Sequence, residues 1–128
     1  MKLLIDTHLL LWAAAEPKRL SRPAKALLQD AANTLMFSAA SLWEIAIKRA
    51  LDRDDLRVDV RSLWRGLIDN GYVELPIESG HALGIDVLPP IHRDPFDRML
   101  VSQAMAEGLV LVTSDTMIAK YPADVRLV

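Results

Sequence analysis

Asp6 closes an apolar run, Met1-Lys2-Leu3-Leu4-Ile5, and a helical pattern opens directly after it at Thr7-His8-Leu9-Leu10-Leu11-Trp12. A carboxylate at the carboxyl end of a buried strand, where a helix begins, lies where open α/β sheets build their sites. Asp115 repeats this arrangement after Leu109-Val110-Leu111-Val112-Thr113. Glu44 stands early in a helix that is apolar almost all round, with Leu42, Trp43, Ile45, Ala46 and Ile47 as neighbours. Asp97 follows Asp94-Pro95-Phe96 at the start of another helical stretch. Four acids at strand-to-helix junctions or first helical turns gather on one predicted edge. There they repel one another and raise their own pKa values, and a hard divalent cation such as Mg²⁺ or Mn²⁺ relieves this.

Each acid also has an ordinary explanation. Asp6 ranks high as an N-cap for the helix that follows it. Glu44 has Lys48 one turn on, and Ser41 three residues before it in capping-box spacing. Asp94 before Pro95 is a good cap, which leaves Asp97 free for chemistry, and either Asp115 or Ser114 can cap the last short helix. No strong base is interleaved at the four positions to offer structural pairing. The histidines His8, His81 and His92 are scattered and read as structural, and without a His pair at ligand spacing zinc is not expected. Trp12, Trp43 and Trp64 fall on apolar helix faces and read as core or dimer contacts rather than base-stacking platforms. A Gly-rich phosphate loop is absent, which excludes P-loop nucleotide hydrolysis.

The elements that must position these acids alternate along the chain. Strands are expected at the start, at Thr34–Phe37, at Tyr72–Leu75, at 109–113 and at Val125–Val128. Helices are expected from Thr7, across Ala24–Ala32 behind Ser21-Arg22-Pro23, and across Ala39–Leu51 behind Ser38. Others should run from Ser62 to Asp69 with Asn70-Gly71 as the stop, over Ser79–Ile85, from Asp94-Pro95 to Glu107, and near Asp115–Lys120. Asp52–Val60 is charged and reads as a surface connection. Strands separated by helices imply βαβ units, so a mainly parallel sheet covered on both faces. Right-handed crossovers put the strands' carboxyl ends on one edge.

Bulk properties narrow the classes further. The chain has 128 residues, 52% of them apolar, about one domain's worth with roughly two-thirds of its unfolded surface buried on folding. It has no cysteine, which excludes thiol catalysis, disulfides and zinc–thiolate sites. There is no signal-peptide pattern and no run near the ~20 apolar residues of a membrane span, so a soluble cytoplasmic protein with no membrane association is expected. The net charge of −2 hides an asymmetry: residues 17–65 carry ten Lys/Arg against six Asp/Glu, and residues 66–128 four against nine. The basic half is compatible with a nucleic-acid partner without demanding one.

In order and spacing, Leu4-Ile5-Asp6-Thr7-His8, Ser41-Leu42-Trp43-Glu44-Ile45, His92-Arg93-Asp94-Pro95-Phe96-Asp97-Arg98 and Leu111-Val112-Thr113-Ser114-Asp115 resemble the PIN-domain ribonucleases. The resemblance is closest to the VapC-type toxins of prokaryotic toxin–antitoxin pairs. It covers essentially the whole chain and implies a single PIN-like domain over 1–128, an α/β/α sandwich with a central, mainly parallel sheet. It implies that Asp6, Glu44, Asp97 and Asp115 form the catalytic site, with Asp6 and Asp97 the direct metal ligands and Asp94 an additional acid beside the third position. It further implies Mg²⁺-dependent endoribonuclease activity, with Mn²⁺ as substitute, homodimerisation, and inhibition by a cognate antitoxin protein. A non-toxin PIN nuclease of RNA processing, and a PIN-like scaffold that binds without cutting, are open alternatives. A phosphoacceptor receiver is a weaker one, because strand 34–37 runs into Ser38 where the phosphorylated Asp should be. A haloacid dehalogenase-type phosphatase would want Asp where His8 stands.

Overall fold

Aliphatic residues in unbroken succession suit a strand buried on both faces, and β1 (Lys2–Ile5) is one, at the centre of its sheet. The computed structural model describes residues 1–51 and 58–128, and in it Leu3, Leu4 and Ile5 are fully buried. On one side β1 pairs with β2 (Thr34–Ser38), Leu3 opposite Leu35, and β2 pairs with β3 (Val73–Leu75). On the other side it pairs with β4 (Val110–Thr113), Ile5 opposite Val112, and β5 (Val125–Leu127) lies beyond. The five-stranded order is β3-β2-β1-β4-β5, and every pairing in it is parallel.

Alternation along β1 divides the core. Leu3 and Ile5 face one way, joined by residues from α1 (Thr7–Ala15), α2 (Arg22–Gln29), α3 (Ala39–Ala50) and α4 (Val60–Asp69). Leu4 faces the other way, with Leu100, Val101 and Ala104 of α6 (Pro95–Glu107) and the partly buried Ile85 of α5 (Ser79–Ile85). The result is the expected α/β/α sandwich. Strand order also decides where a site can form. The path leaving β1 leads through helices toward β2, whereas β4 leads to β5 on the opposite side. The two connections diverge, and a crevice opens at the carboxyl ends of β1 and β4.

Most expected boundaries hold to within a residue or two. Ser21, Ser38 and Asp94 cap α2, α3 and α6 with their side chains. Three boundaries differ, each for a local reason. α2 stops at Gln29 because Asp30 Oδ1 accepts the Ala32 N–H at 2.9 Å and folds the chain into an Asx turn. α4 begins at Val60, since Asp59 rather than Ser62 caps it, accepting both the backbone N–H and the hydroxyl of Ser62. The expected last helix is a short 3₁₀ turn, Ile118–Lys120. Of the expected surface connection Asp52–Val60, residues 52–57 lie outside the described residues. No described helix is long and apolar enough to cross a membrane.

Gly108 ends α6 at φ 65°, in the left-handed region, with its N–H on the Ala104 carbonyl. A Cβ there would meet nothing within 4 Å, so a substitution is penalised by the backbone alone. Gly108→Ala should cost about 1 kcal/mol and lower Tm by several degrees, and Gly108→Asn should cost less, because Asn tolerates this conformation better. Thermal melts of the two variants against the parent check this, and equal melting of Ala and parent contradicts it.

Candidate active site

β1 delivers Asp6 into the crevice with an extended backbone, at the N-cap position of α1 but without a side-chain cap hydrogen bond. Capping therefore does not account for this residue. Asp6 Oδ2 accepts from Thr113 Oγ1 at 2.7 Å, so the last residue of the neighbouring strand fixes the carboxylate. Its Oδ1 has no partner among the described residues, although Asp6 is only 3% exposed. Burial pushes its pKa above the ordinary carboxylate value. The Thr113 hydroxyl, His8 and the Thr7 backbone N–H oppose this, and the charge of Glu44 adds to it.

Ser38 accepts the Ala40 N–H at 2.9 Å and starts α3, which brings Glu44 to the same sheet edge. Glu44 is 3% exposed. Its Oε2 accepts from Lys48 Nζ at 2.5 Å, while Oε1 is buried without a partner among the described residues. One of its two structural explanations is thus present and the other absent: Ser41 lies inside α3, where its Oγ accepts from Thr7 Oγ1 at 2.8 Å. The expectation that no base is interleaved among the acids is corrected by Lys48. Burial works against the Lys48 ammonium, but the hydrogen bond and charge of Glu44, with Asp94 and Asp97 behind it, outweigh this and raise its pKa.

Asp94 and Asp97 divide their tasks as the sequence suggests. Asp94 Oδ1 accepts the N–H groups of Phe96 and Asp97, at 2.8 and 3.3 Å, and caps α6. Asp97 turns inward, with its Oδ2 3.1 Å from His92 Nε2. Burial first, and then the charges of Asp6, Asp94 and Glu44, raise its pKa to about 8 despite the opposing effect of His92. Asp115 sits on the rim of the cluster. Its Oδ1 accepts the Met117 N–H at 2.8 Å, closing the turn after β4, and its Oδ2 lies 2.9 Å from His92 Nε2. Burial raises its pKa, but these hydrogen bonds and the His92 charge outweigh burial and the net shift is downward.

The sequence reads His92 as structural, and the structure puts it between Asp97 and Asp115. Its backbone N–H donates to Tyr121 Oη at 2.8 Å, and Arg98 donates to the same oxygen and to the carbonyls of Pro89 and Ile85. The loop before α6 is thereby pinned. Desolvation lowers the His92 pKa, but the Asp115 hydrogen bond and the surrounding carboxylates exceed it and raise the value overall. The available sequence signal was position: His92 precedes Asp94 by two residues, on the loop that carries the cap. Thr113 was visible only as a strand residue, and Tyr121 and Arg98 gave no local signal. His81, by contrast, is structural, receiving the Glu78 N–H at Nδ1 and meeting Glu107 at Nε2.

The tryptophans separate. Trp12 packs on the core beneath the Arg19 guanidinium, as expected. Trp43 is 54% exposed, edge-on to Phe96 with ring centres 5.0 Å apart, and Trp64 is exposed and donates to Glu74. Neither of these two is a core residue.

The donor set suits a hard divalent cation. Asp6 Oδ1 and Glu44 Oε1 are buried carboxylate oxygens without partners among the described residues, and burial together with the neighbouring acids raises the pKa of Asp97 to about 8. The raised Asp97 value carries a sign. Below the unfolded carboxylate pKa this group costs the fold nothing, and stability is lost as pH rises from there through about 8. Metal-free protein should therefore lose stability between pH 5 and 8 at low salt. Asp97→Asn should flatten that loss and melt higher at neutral pH, whereas a substitution that lowers Tm at neutral pH would show Asp97 to be an ordinary helix-start acid.

Comparison with known proteins agrees with this geometry. The PIN domain family model matches residues 3–124. Ribonuclease VapC22 of Mycobacterium tuberculosis (strain ATCC 25618 / H37Rv) is 29% identical over 118 residues, 92% of this chain and 90% of that protein. Among solved structures, VapBC2 from Rickettsia felis bound to a promoter DNA fragment superposes with a TM-score of 0.73 at 16% identity, over 99% of this chain and 98% of that one. DNA-bound VapBC from Salmonella typhimurium gives a TM-score of 0.69 at 17% identity, over 98% and 97%. With a family model matching residues 3–124, nearly its whole length, the chain belongs to the PIN domain family.

Proposed function

We propose that this protein is a Mg²⁺- or Mn²⁺-dependent endoribonuclease, the toxin of a type II toxin–antitoxin pair, and that Asp6, Glu44, Asp97 and Asp115 carry its chemistry. One observation carries the reading: Asp6 Oδ1 and Glu44 Oε1 are buried carboxylate oxygens with no partner among the described residues, beside an Asp97 whose pKa is raised to about 8. Desolvating anionic oxygens in this way is costly unless a cation completes the site. The likeness to Ribonuclease VapC22 supports RNA as the substrate, and the likeness to VapBC complexes supports an antitoxin partner.

Asp6 and Asp97 are the residues that would hold the ion. When bound, the ion supplies a coordinated water of lowered pKa and offsets the charge that builds on the scissile phosphate. The chain's own groups prepare the rest. Thr113 holds Asp6 by Oδ2 and leaves Oδ1 free, and Lys48 holds Glu44 by Oε2 and leaves Oε1 free. Glu44 Oε1 is thus an open acceptor for the proton of an attacking water, with Asp115 on the rim as the other candidate. We read residues 1–128 as one domain acting in the cytoplasm as a homodimer. Exposed apolar side chains at Trp43 and Leu51, 54% and 66% exposed, support a further protein contact on α3 and its end.

Purified protein should cut structured cellular RNA with Mg²⁺ or Mn²⁺, stop in EDTA, and leave 5′-phosphate ends, because water attacks rather than a ribose 2′-hydroxyl. Asp6→Asn and Asp97→Asn should each lose at least ~100-fold in rate and relieve growth arrest on expression. Asp94→Asn should stay within about tenfold, since Asn also caps helices. Cleavage that persists in EDTA with cyclic phosphate ends, or an Asp94→Asn as inactive as Asp97→Asn, overturns the assignment.

A further inference from the structure

His92 makes two contacts that a cation would otherwise make. Its Nε2 lies 3.1 Å from Asp97 Oδ2 and 2.9 Å from Asp115 Oδ2. The ligand-type atoms of these three residues lie within 4.8 Å of one another, which by spacing alone is a His–Asp–Asp metal set. The other ring nitrogen decides against that use. Nδ1 faces the backbone N–H of Asp94 at 3.1 Å, and an N–H is met only by a lone pair. In the neutral ring Nδ1 therefore carries no proton, and the ring's one proton sits on Nε2. A protonated Nε2 has no electron pair for a metal; its hydrogen is directed to Asp115 Oδ2, and Asp97 Oδ2 stands 3.1 Å from the same nitrogen.

The surroundings keep the ring in this role. A flip would turn a C–H toward the Asp94 N–H and leave that donor unmet at the start of α6. The backbone carrying the ring is anchored by the bond from the His92 N–H to Tyr121 Oη, and Arg98 braces the same oxygen at 3.2 Å. Asp115 cannot simply turn away, because its Oδ1 is held by the Met117 N–H at 2.8 Å. On the far side of the cluster the situation is reversed: Asp6 Oδ1 and Glu44 Oε1 have no donor among the described residues. The cluster thus has one side closed by a proton and one side open.

We propose that His92 is a positioning residue: with Nε2–H bonded to Asp115 and set 3.1 Å from Asp97, it closes the space between these two acids to a metal ion and confines cation binding to the side formed by Asp6, Glu44 and Asp97. This inference rests on the metal-dependent nuclease reading for the presence of the cation and adds to it where the cation can and cannot sit. It also gives Asp115 a role without direct ligation, as an acid held on the rim by hydrogen bonds.

Binding of Mn²⁺ alone tests this without turnover. The free aquo ion is followed by its electron paramagnetic resonance signal at neutral pH for the parent, His92→Gln and His92→Leu, each checked for folding by circular dichroism. The parent should bind a single ion per chain. His92→Gln keeps an N–H near the position of Nε2 and should do the same, whereas His92→Leu opens the space and should admit a second ion. Electron spin echo spectra of the parent with Mn²⁺ should show no coordinated imidazole nitrogen, a measurement that decides the matter even if His92→Leu fails to fold. Equal stoichiometry in all three folded proteins, or an imidazole coupling in the parent that vanishes in His92→Gln, overturns the inference and leaves the nuclease reading standing. A parent that binds no Mn²⁺ removes that reading and this inference with it.

Discussion

Asp6, Glu44 and Asp97 are held inside the protein against their own charge, and much of the local structure answers to that constraint. A buried carboxylate wants a donor for each oxygen, and like charges close together push one another toward protonation. Thr113 and Lys48 each satisfy one oxygen and leave another without a partner among the described residues. Asp97 shows the consequence in its raised pKa, to which the other acids contribute. Strand order makes the crowding possible: β1 and β4 are neighbours whose connections diverge, so Asp6 and Asp115 flank one crevice while α3 and α6 bring Glu44 and Asp97 to its edge. The fold provides the concentration of charge, and the side chains around it provide incomplete relief.

What was legible in the sequence was whatever depends on short range. Aliphatic runs at Leu3–Ile5 and Val110–Val112 can only be buried strands, and Ser21, Ser38 and Asp94 cap because their oxygens reach N–H groups two or three residues on. The same locality explains the misses. Asp59 caps α4 from inside a charged stretch where one acid looks like another, and Asp30 ends α2 through a turn that competes with further helix. Asp6 and Asp115 were legible because each follows a strand, Asp97 because it lies in the first turn of a helix, and Glu44 because it lies within the first two turns of one. Their partners were not, because Thr113 meets Asp6 across 107 residues and His92 meets Asp115 across 23.

Trp43 illustrates a different limit. A helix apolar almost all round reads as buried or nearly so, and by that reading Trp43 is a core or dimer contact. In the fold, Ile45 takes the core position and Glu44 faces the crevice, which leaves Trp43 exposed against Phe96. Hydrophobicity fixes that a helix is apolar, but not which neighbour its surplus apolar face will meet. The charged neighbour Lys48 was legible as an i, i+4 partner of Glu44. That it also feels Asp94 and Asp97, and so belongs to the cluster, depends on where α6 begins.

The choice of partners around the cluster has its own logic. An Arg at the position of Thr113 or His92 would satisfy both oxygens of a carboxylate with a permanent, forked charge and leave nothing for a cation to do. The groups present are weaker or narrower: a hydroxyl with one hydrogen, an ammonium at the edge, and an imidazole whose second nitrogen is committed to the Asp94 N–H. Each bonds a single carboxylate oxygen, so the cluster is restrained in position while remaining short of positive charge. Asp94 completes the division of labour. By capping α6 it spends its carboxylate on backbone N–H groups, which frees Asp97, three residues on, to face the crevice. Two acids of the same type on one loop thus take opposite roles because only one of them has a backbone to satisfy.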